Sequence, residues 1–240
     1  MDLILVLAIG LAAGTISGIV GFGSSIMLMP ALVLVFGPLQ AVPIMAISAV
    51  MANLSRVLAW WREIDWRLCA PYTVAAAPAA ALGARTLLVL PPRLIEAALG
   101  IFFIAMIGVR RWLADHRMRL RAVHLAVIGV PIGFITGLVV TTGPITAPLF
   151  LSAGLVKGAF VGTEAAGSLF VYLSKAGVFR SFGALPWLVL GQGLIVGSSL
   201  TVGSFIAKRF VLKIPAERFR LLMDALMLVS GLTMLWAAWR

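Results

Sequence analysis

Residues 3–37 read LILVLAIGLAAGTISGIVGFGSSIMLMPALVLVFG, an uncharged stretch with the Gly- and Ser-rich sequence Gly21-Phe22-Gly23-Ser24-Ser25 near its middle. A continuous helix of this length would measure about 52 Å, whereas the hydrocarbon core of a bilayer is roughly 30 Å thick. The stretch therefore predicts two helical limbs, 3–20 and 24–37, joined by a break inside the membrane. Residues 122–156 repeat the pattern, with limbs at 122–140 and 143–156.

The remainder of the chain is equally apolar. Of its 240 residues, 62% are hydrophobic and 11% are charged, whereas soluble domains carry about 25% charged residues. Further apolar runs fall at 41–61, 68–90, 94–113, 159–179, 184–207 and 219–239. The composition predicts an all-α polytopic membrane protein, because too few polar groups are present to cover a water-facing surface.

The net charge is +11, but the basic residues lie mostly in short segments between apolar runs, as topology determinants do. This placement argues against a nucleic-acid partner. Segments 110–121 and 208–220 are the most basic and are expected to be cytoplasmic. Counting outward from them, each hairpin returns to the side on which it began, and both termini face the periplasm of a bacterial inner membrane.

An internal repeat supports this topology. Gly10, Gly14 and Gly18 recur as Gly129, Gly133 and Gly137, at an offset of 129 − 10 = 119 residues, and Ser55-Arg56 recurs as Ser174-Lys175 at the same offset. Each half is predicted to contain one broken-helix hairpin and three transmembrane helices. An odd number of single crossings makes the two repeats inverted relative to each other. The predicted division is a first repeat at 1–113, a basic cytoplasmic loop at 114–121 and a second repeat at 122–240.

The two helix breaks predict a binding site. Inverted repeats with broken helices are typical of secondary transporters, with the substrate site near the bilayer midplane. Helix N-termini present free N–H groups and a positive dipole end, which favour an anion. The candidate binding residues at the breaks are Gly21, Gly23, Ser24, Ser25, Thr141, Thr142 and Gly143. The alternative is that these hydroxyls only cap their own helices.

Two cations lie inside apolar runs, Arg56 and Lys175. They either extend their side chains to the interface or draw an anion toward the site, one from each half. Their equivalent positions in the repeat favour the second interpretation. Asn53 and Tyr172 lie within one turn of them and are expected to add hydrogen bonds.

Glu164 is an acid within the apolar run 159–179. An intramembrane carboxylate is a candidate for proton coupling, and the alternative is a buried structural acid. Lys175 lies about 16 Å away along the same helix. A partner on another helix, or protonation of the carboxylate, is therefore expected.

The sequence disfavours an enzyme. Cys69 is the only cysteine, and His116 and His124 lie in or beside the basic loop, far from the breaks. No Ser/His pairing and no metal-ligand spacing is present. We expect no metal and no cofactor. The expected partners are a small anionic substrate and the lipid bilayer, and a homodimer is left open.

The motif Gly18-Ile-Val-Gly21-Phe-Gly23-Ser-Ser25, followed by Met27 to Pro30-Ala-Leu32, resembles the sulfite exporter TauE/SafE family. The segment from Gly137 through Thr141-Thr-Gly-Pro144 to Pro148-Leu149 resembles the same motif in the second half. The resemblance implies an eight-helix-type transporter that exports sulfite or related sulfur anions, including organosulfonates. It also assigns the substrate region to the residues of the two breaks.

The predicted function is therefore a secondary transporter that exports a small sulfur-containing anion, with proton coupling through Glu164. The alternatives are an anion channel built from the same residues, or a related carrier for another carboxylate or sulfonate anion.

Overall fold

The structure is a computed structural model that describes residues 2–20, 24–115, 120–139, 143–210 and 216–239. All regular elements in these ranges are helices. The first half contains α1 (Asp2–Val20), α2 (Ser24–Phe36), α3 (Pro38–Trp60), a 3₁₀ turn (Trp61–Glu63), α4 (Trp66–Val89) and α5 (Pro92–Asp115). The second half contains α6 (Ala122–Leu138), α7 (Gly143–Ser152), α8 (Lys157–Ser181), α9 (Trp187–Phe210) and α10 (Ala216–Trp239).

The all-α polytopic class predicted from the sequence is confirmed. Within the described residues, three helices are long and apolar enough to cross a membrane, at Leu39–Glu63, Trp66–Val89 and Trp187–Ile206, and shorter apolar helices lie at Ile4–Ser17, Met27–Phe36 and Ala122–Leu138. The bundle also exposes large apolar side chains along its length, among them Leu34, Leu58, Val74, Leu82, Val89, Leu188 and Val229. Such a surface suits contact with lipid rather than with water.

Both predicted breaks separate a long limb from a short one. The second limbs, α2 and α7, have 13 and 10 residues. At 1.5 Å per residue they span about 20 Å and 15 Å, which is less than the hydrocarbon core. Each short limb ends near a glycine with positive φ, Gly37 (75°) and Gly154 (92°). This backbone conformation is readily available to glycine, and it lets the chain reverse into α3 and α8.

Helices of one half pack on helices of the other. α6 packs on α4 and α1 on α9, while α3 packs on α9 and α8 on α4. α3 and α8 also pack on each other, as do α5 and α10. Exchanging the two halves converts α4/α6 into α9/α1 and α3/α9 into α8/α4, and it leaves α3/α8 and α5/α10 unchanged. The inverted orientation of the halves and the division at 114–121 remain predictions.

The repeated glycines allow close backbone contact between the halves. A Cβ atom added at Gly133 would meet the carbonyl oxygen of Ala76 in α4, and one at Gly14 would meet that of Leu200 in α9. The contacts are reciprocal, because a Cβ at Gly83 would meet Phe134 O and one at Gly203 would meet Leu11 O. Small residues let membrane helices approach in this way.

We therefore expect Gly133→Val to destabilise the protein by about 1–3 kcal/mol or more, because the side chain would overpack the contact between α6 and α4. Gly108→Val is the matched control, since a Cβ at this exposed position meets nothing within 4 Å. Thermal unfolding of purified protein in detergent would measure both. Equal melting temperatures for the two variants would contradict the close contact.

Candidate functional site

The two central helices carry the buried charges. Arg56 on α3 is 8% exposed, and Glu164 and Lys175 on α8 are 2% and 1% exposed. Charged side chains are almost never buried to this extent unless they are paired. The helix pair α3/α8 therefore forms a polar centre within an apolar bundle.

Arg56 and Glu164 form an ion pair between the two helices. The Arg56 Nη1 atom lies 3.5 Å from the Glu164 Oε2 atom. Arg56 Nη2 donates a hydrogen bond of 2.6 Å to Asn53 Oδ1, and Asn53 Nδ2 donates to Ala49 O at 2.7 Å. Asn53 is fixed by the backbone of its own helix and in turn orients the guanidinium group.

The pair leaves polar atoms unsatisfied. Among the described residues, Arg56 Nε, Arg56 Nη1 and Glu164 Oε2 are buried and have no hydrogen-bond partner. A separation of 3.5 Å gives Coulomb attraction but exceeds the usual length of an N–H···O bond. Burying such groups without partners is costly, so their occurrence at one point indicates a place suited to a ligand.

The second carboxylate oxygen of Glu164 is well satisfied. Oε1 accepts hydrogen bonds from Thr146 Oγ1 (3.2 Å) and from Ser168 Oγ (2.8 Å). Thr146 lies in the first turn of α7, directly after the second break. Glu164 therefore connects α8 to α3 through Arg56 and to the start of α7 through Thr146.

Lys175 makes a different set of contacts. Its Nζ atom donates to Thr136 O (2.9 Å) and Val139 O (2.7 Å), and it lies 5.5 Å from the centre of the Phe179 ring. Thr136 is in the last turn of α6, and Val139 follows the end of that helix. Lys175 thus donates to two carbonyl groups at the C-terminal end of α6.

The remaining predicted residues that the structure describes are all buried. Ser24 and Ser25 are buried at the first two positions of α2, and Gly143 is buried at the first position of α7. Tyr172 is buried in α8, less than one turn before Lys175. Gly21, Gly23, Thr141 and Thr142 lie outside the described residues. Within the part of the chain that is described, no group of three or more His, Cys, Asp or Glu residues could hold a metal.

Comparison with known proteins identifies the protein family of this chain. Residues 6–234 match the family described as "Sulfite exporter TauE/SafE". This chain belongs to the TauE/SafE family. A curated relative from Sinorhizobium fredii (strain NBRC 101917 / NGR234), named "Probable membrane transporter protein y4hK", is 27% identical over 188 residues, covering 72% of this chain and 73% of the relative. No solved structure matches the chain.

Membership of the TauE/SafE family confirms the resemblance seen in the sequence motifs, and the chain is accordingly a multi-pass membrane transporter. The match covers both halves, so it includes both helix breaks and the two residues of the ion pair, Arg56 and Glu164. When each hairpin is counted as one unit, the ten α-helices of the described residues correspond to the eight units that the resemblance implies.

Sequence reasoning missed two residues of this polar centre, Thr146 and Ser168. Ser168 follows Glu164 by four residues, which places the two side chains on one helix face. That spacing was a usable signal. Thr146 offered none, because its contact with Glu164 depends on how α7 packs against α8.

We expect Ser168→Ala to destabilise the protein by about 1.5–3 kcal/mol, because it removes a hydrogen bond to a charged, buried carboxylate. Ser181→Ala is the matched control, since this exposed hydroxyl on the same helix donates to backbone carbonyls of Gly177 and Val178. Surface changes of this kind stay within about 0.5 kcal/mol. Chemical unfolding in detergent would measure both, and similar small effects would show that Ser168 does not support Glu164.

Proposed function

We propose that this protein is a secondary transporter that exports a small sulfur oxyanion, sulfite or an organosulfonate, across the bacterial inner membrane. The observation that carries the proposal is the buried Arg56, whose Nε and Nη1 atoms have no acceptor among the described residues. An arginine in this state attracts an anion, because a planar, permanently charged guanidinium suits oxyanions with several acceptor oxygens.

The location of Arg56 supports transport rather than structural pairing alone. Its partner Glu164 is linked through Thr146 to the first turn of α7, so the charges are close to one helix break. Irregular backbone at membrane depth is tolerated where it is buried in protein or lines a water-filled cavity. Broken helices near the midplane are also the parts that bind substrate in alternating-access transporters.

The proposed binding region combines this charge with the two breaks. Ser24, Ser25 and Gly143 begin the short limbs, where helix N-termini favour negative charge. Asn53 and Tyr172 flank the two cations on α3 and α8. The proposal extends the region to the remaining residues predicted at the breaks, which are Gly21, Gly23, Thr141 and Thr142.

We propose Glu164 as the proton-coupling residue. Its Oε2 atom faces Arg56 across 3.5 Å and is otherwise unsatisfied, so this atom can accept a proton. An anion bound to Arg56 would repel the Glu164 carboxylate and favour its protonated form. Among the described residues, Tyr72 and Cys69 of α4 also interact electrostatically with Glu164, and both are neutral in their common forms.

We expect purified protein in liposomes to show saturable flux of sulfite or a small organosulfonate that a pH gradient drives. In Glu164→Gln the flux should no longer depend on the pH gradient, because the amide cannot exchange a proton. Glu63→Gln is the matched control, since Glu63 is exposed in the turn after α3. All rates are compared per folded protein.

Three outcomes of this experiment would contradict parts of the proposal. Flux that rises linearly with concentration and ignores the pH gradient would favour an anion channel. Unchanged coupling in Glu164→Gln would remove the proton role. Flux of a carboxylate but of no sulfur anion would favour a related carrier with another substrate.

The proposed topology places both termini in the periplasm, because the basic segments 110–121 and 208–220 are then cytoplasmic. A C-terminal alkaline phosphatase fusion should be active in cells, and a C-terminal green fluorescent protein fusion exported by the same route should not fluoresce. A fusion placed after residue 115 is the control and should give the opposite result. A fluorescent C-terminal fusion would overturn this topology.

A further inference from the structure

The two cations of the repeat occupy equivalent positions but make unlike contacts. Arg56 and Lys175 are separated by 175 − 56 = 119 residues, the same offset as the repeated glycines. The sequence predicted that both would draw an anion toward the site. The hydrogen bonds of the two cations differ and indicate a different role for each.

The Lys175 ammonium group is bound by two backbone carbonyl groups of α6 and its end. An ammonium group has three N–H donors. Two of them reach the carbonyl oxygens of Thr136 and Val139, and the ammonium also faces the Phe179 ring. Both carbonyl groups belong to the end of α6, so these bonds tie Lys175 to that end of the helix. An anion could reach Lys175 only by replacing these bonds.

The charge of Arg56 is only partly engaged. A guanidinium group has five N–H donors. Nη2 donates to Asn53, whereas Nε and Nη1 carry donors with no acceptor among the described residues. Glu164 supplies a negative charge at 3.5 Å without a hydrogen bond. An anion can therefore displace Glu164 from Arg56 at a lower free-energy cost than it could break the two short hydrogen bonds of Lys175.

From these contacts we infer that Arg56 binds the charged group of the substrate, that Glu164 supplies the balancing charge before the substrate arrives, and that Lys175 is a positioning residue that closes the broken end of α6. This assignment rests on the proposed transport function and names the substrate class more closely.

The charge balance points to an oxyanion with a single negative charge. Arg56 carries one positive charge, which Glu164 balances, while Lys175 keeps its positive charge and is held at the end of α6 by two carbonyl groups. A monoanion that replaces Glu164 at Arg56 keeps this pair balanced once Glu164 is neutral. A dianion would bring a second negative charge that Arg56 cannot balance and that could pair with Lys175 only if Lys175 left its two carbonyl groups, which is costly. The site therefore favours sulfonates and hydrogen sulfite over sulfate.

The test uses the purified full-length protein in detergent with methanesulfonate as the monoanionic probe and sulfate as the dianionic one. Titration calorimetry should show tighter binding of methanesulfonate than of sulfate. Arg56→Gln should weaken methanesulfonate binding by at least about 30-fold, the lower end of the loss found when one partner of a buried charge pair is removed. Arg180→Gln is the matched control, because Arg180 on α8 donates to the Leu185 carbonyl and is exposed.

Lys175 requires a readout that separates binding from turnover. Lys175→Met should keep the Kd for methanesulfonate within about threefold of wild type but lower the maximal flux in liposomes by at least about tenfold, since the break of α6 loses its support. Lys175→Arg should recover part of that flux, because arginine can also donate to both carbonyls. Glu164→Gln should bind methanesulfonate several-fold more tightly, because the anion then displaces no carboxylate.

The outcomes separate this assignment from the proposed function. A folded Lys175→Met or Lys175→Arg protein that loses binding as severely as Arg56→Gln would overturn the division of roles, and weaker binding by Glu164→Gln would overturn the role of Glu164. If Lys175→Met does not fold, Lys175→Gln keeps donors for the two carbonyl groups without the charge, so a folded Lys175→Gln protein that loses methanesulfonate binding would overturn the division of roles. A wild-type protein that neither binds nor moves any sulfur oxyanion would overturn the proposed function together with this assignment.

Discussion

Backbone carbonyl groups at a helix break inside the membrane need hydrogen-bond donors, and in α6 Lys175 supplies them. The hydrocarbon core offers no water, so carbonyl groups at a helix break need donors from the protein. Lys175 Nζ supplies two such bonds, to Thr136 and Val139. These bonds join α8 to the end of α6, while the packing of α8 on α3 and α4 brings Glu164 to Arg56 and to the start of α7.

Close packing of the outer helices makes this centre possible. Gly133 and Gly83 allow α6 and α4 to approach at backbone distance, and Gly14 and Gly203 do the same for α1 and α9. Each of these pairs joins a broken helix of one half to a continuous helix of the other. Contacts between the halves therefore position the helices that contain the two breaks. α3 and α8 pack on each other, which brings Arg56 and Glu164 together.

The two halves share a packing scheme but not a set of polar side chains. At the offset of 119 residues, Glu164 corresponds to Met45 and Thr146 corresponds to Met27. The carboxylate and the hydroxyl that supports it therefore occur in the second half, and they compensate a cation from the first half. A duplicated scaffold with one asymmetric polar centre is consistent with a single anion site between the halves, rather than one site in each.

The sequence alone predicted the helical membrane class, the two helix breaks and the buried residues Arg56, Glu164 and Lys175. Such predictions are possible because the length of an apolar run and an isolated charge within it are local properties of the chain. It could not assign partners. The pairing of Arg56 with Glu164 joins residues 108 positions apart (164 − 56), and the capping of α6 by Lys175 joins residues 36 and 39 positions apart. Hydrogen bonds between different helices depend on which helix faces pack together and in what register. Packing across the whole bundle fixes both the faces and the register. The tertiary structure was therefore needed to show that Arg56 pairs with a carboxylate and that Lys175 binds the end of a broken helix.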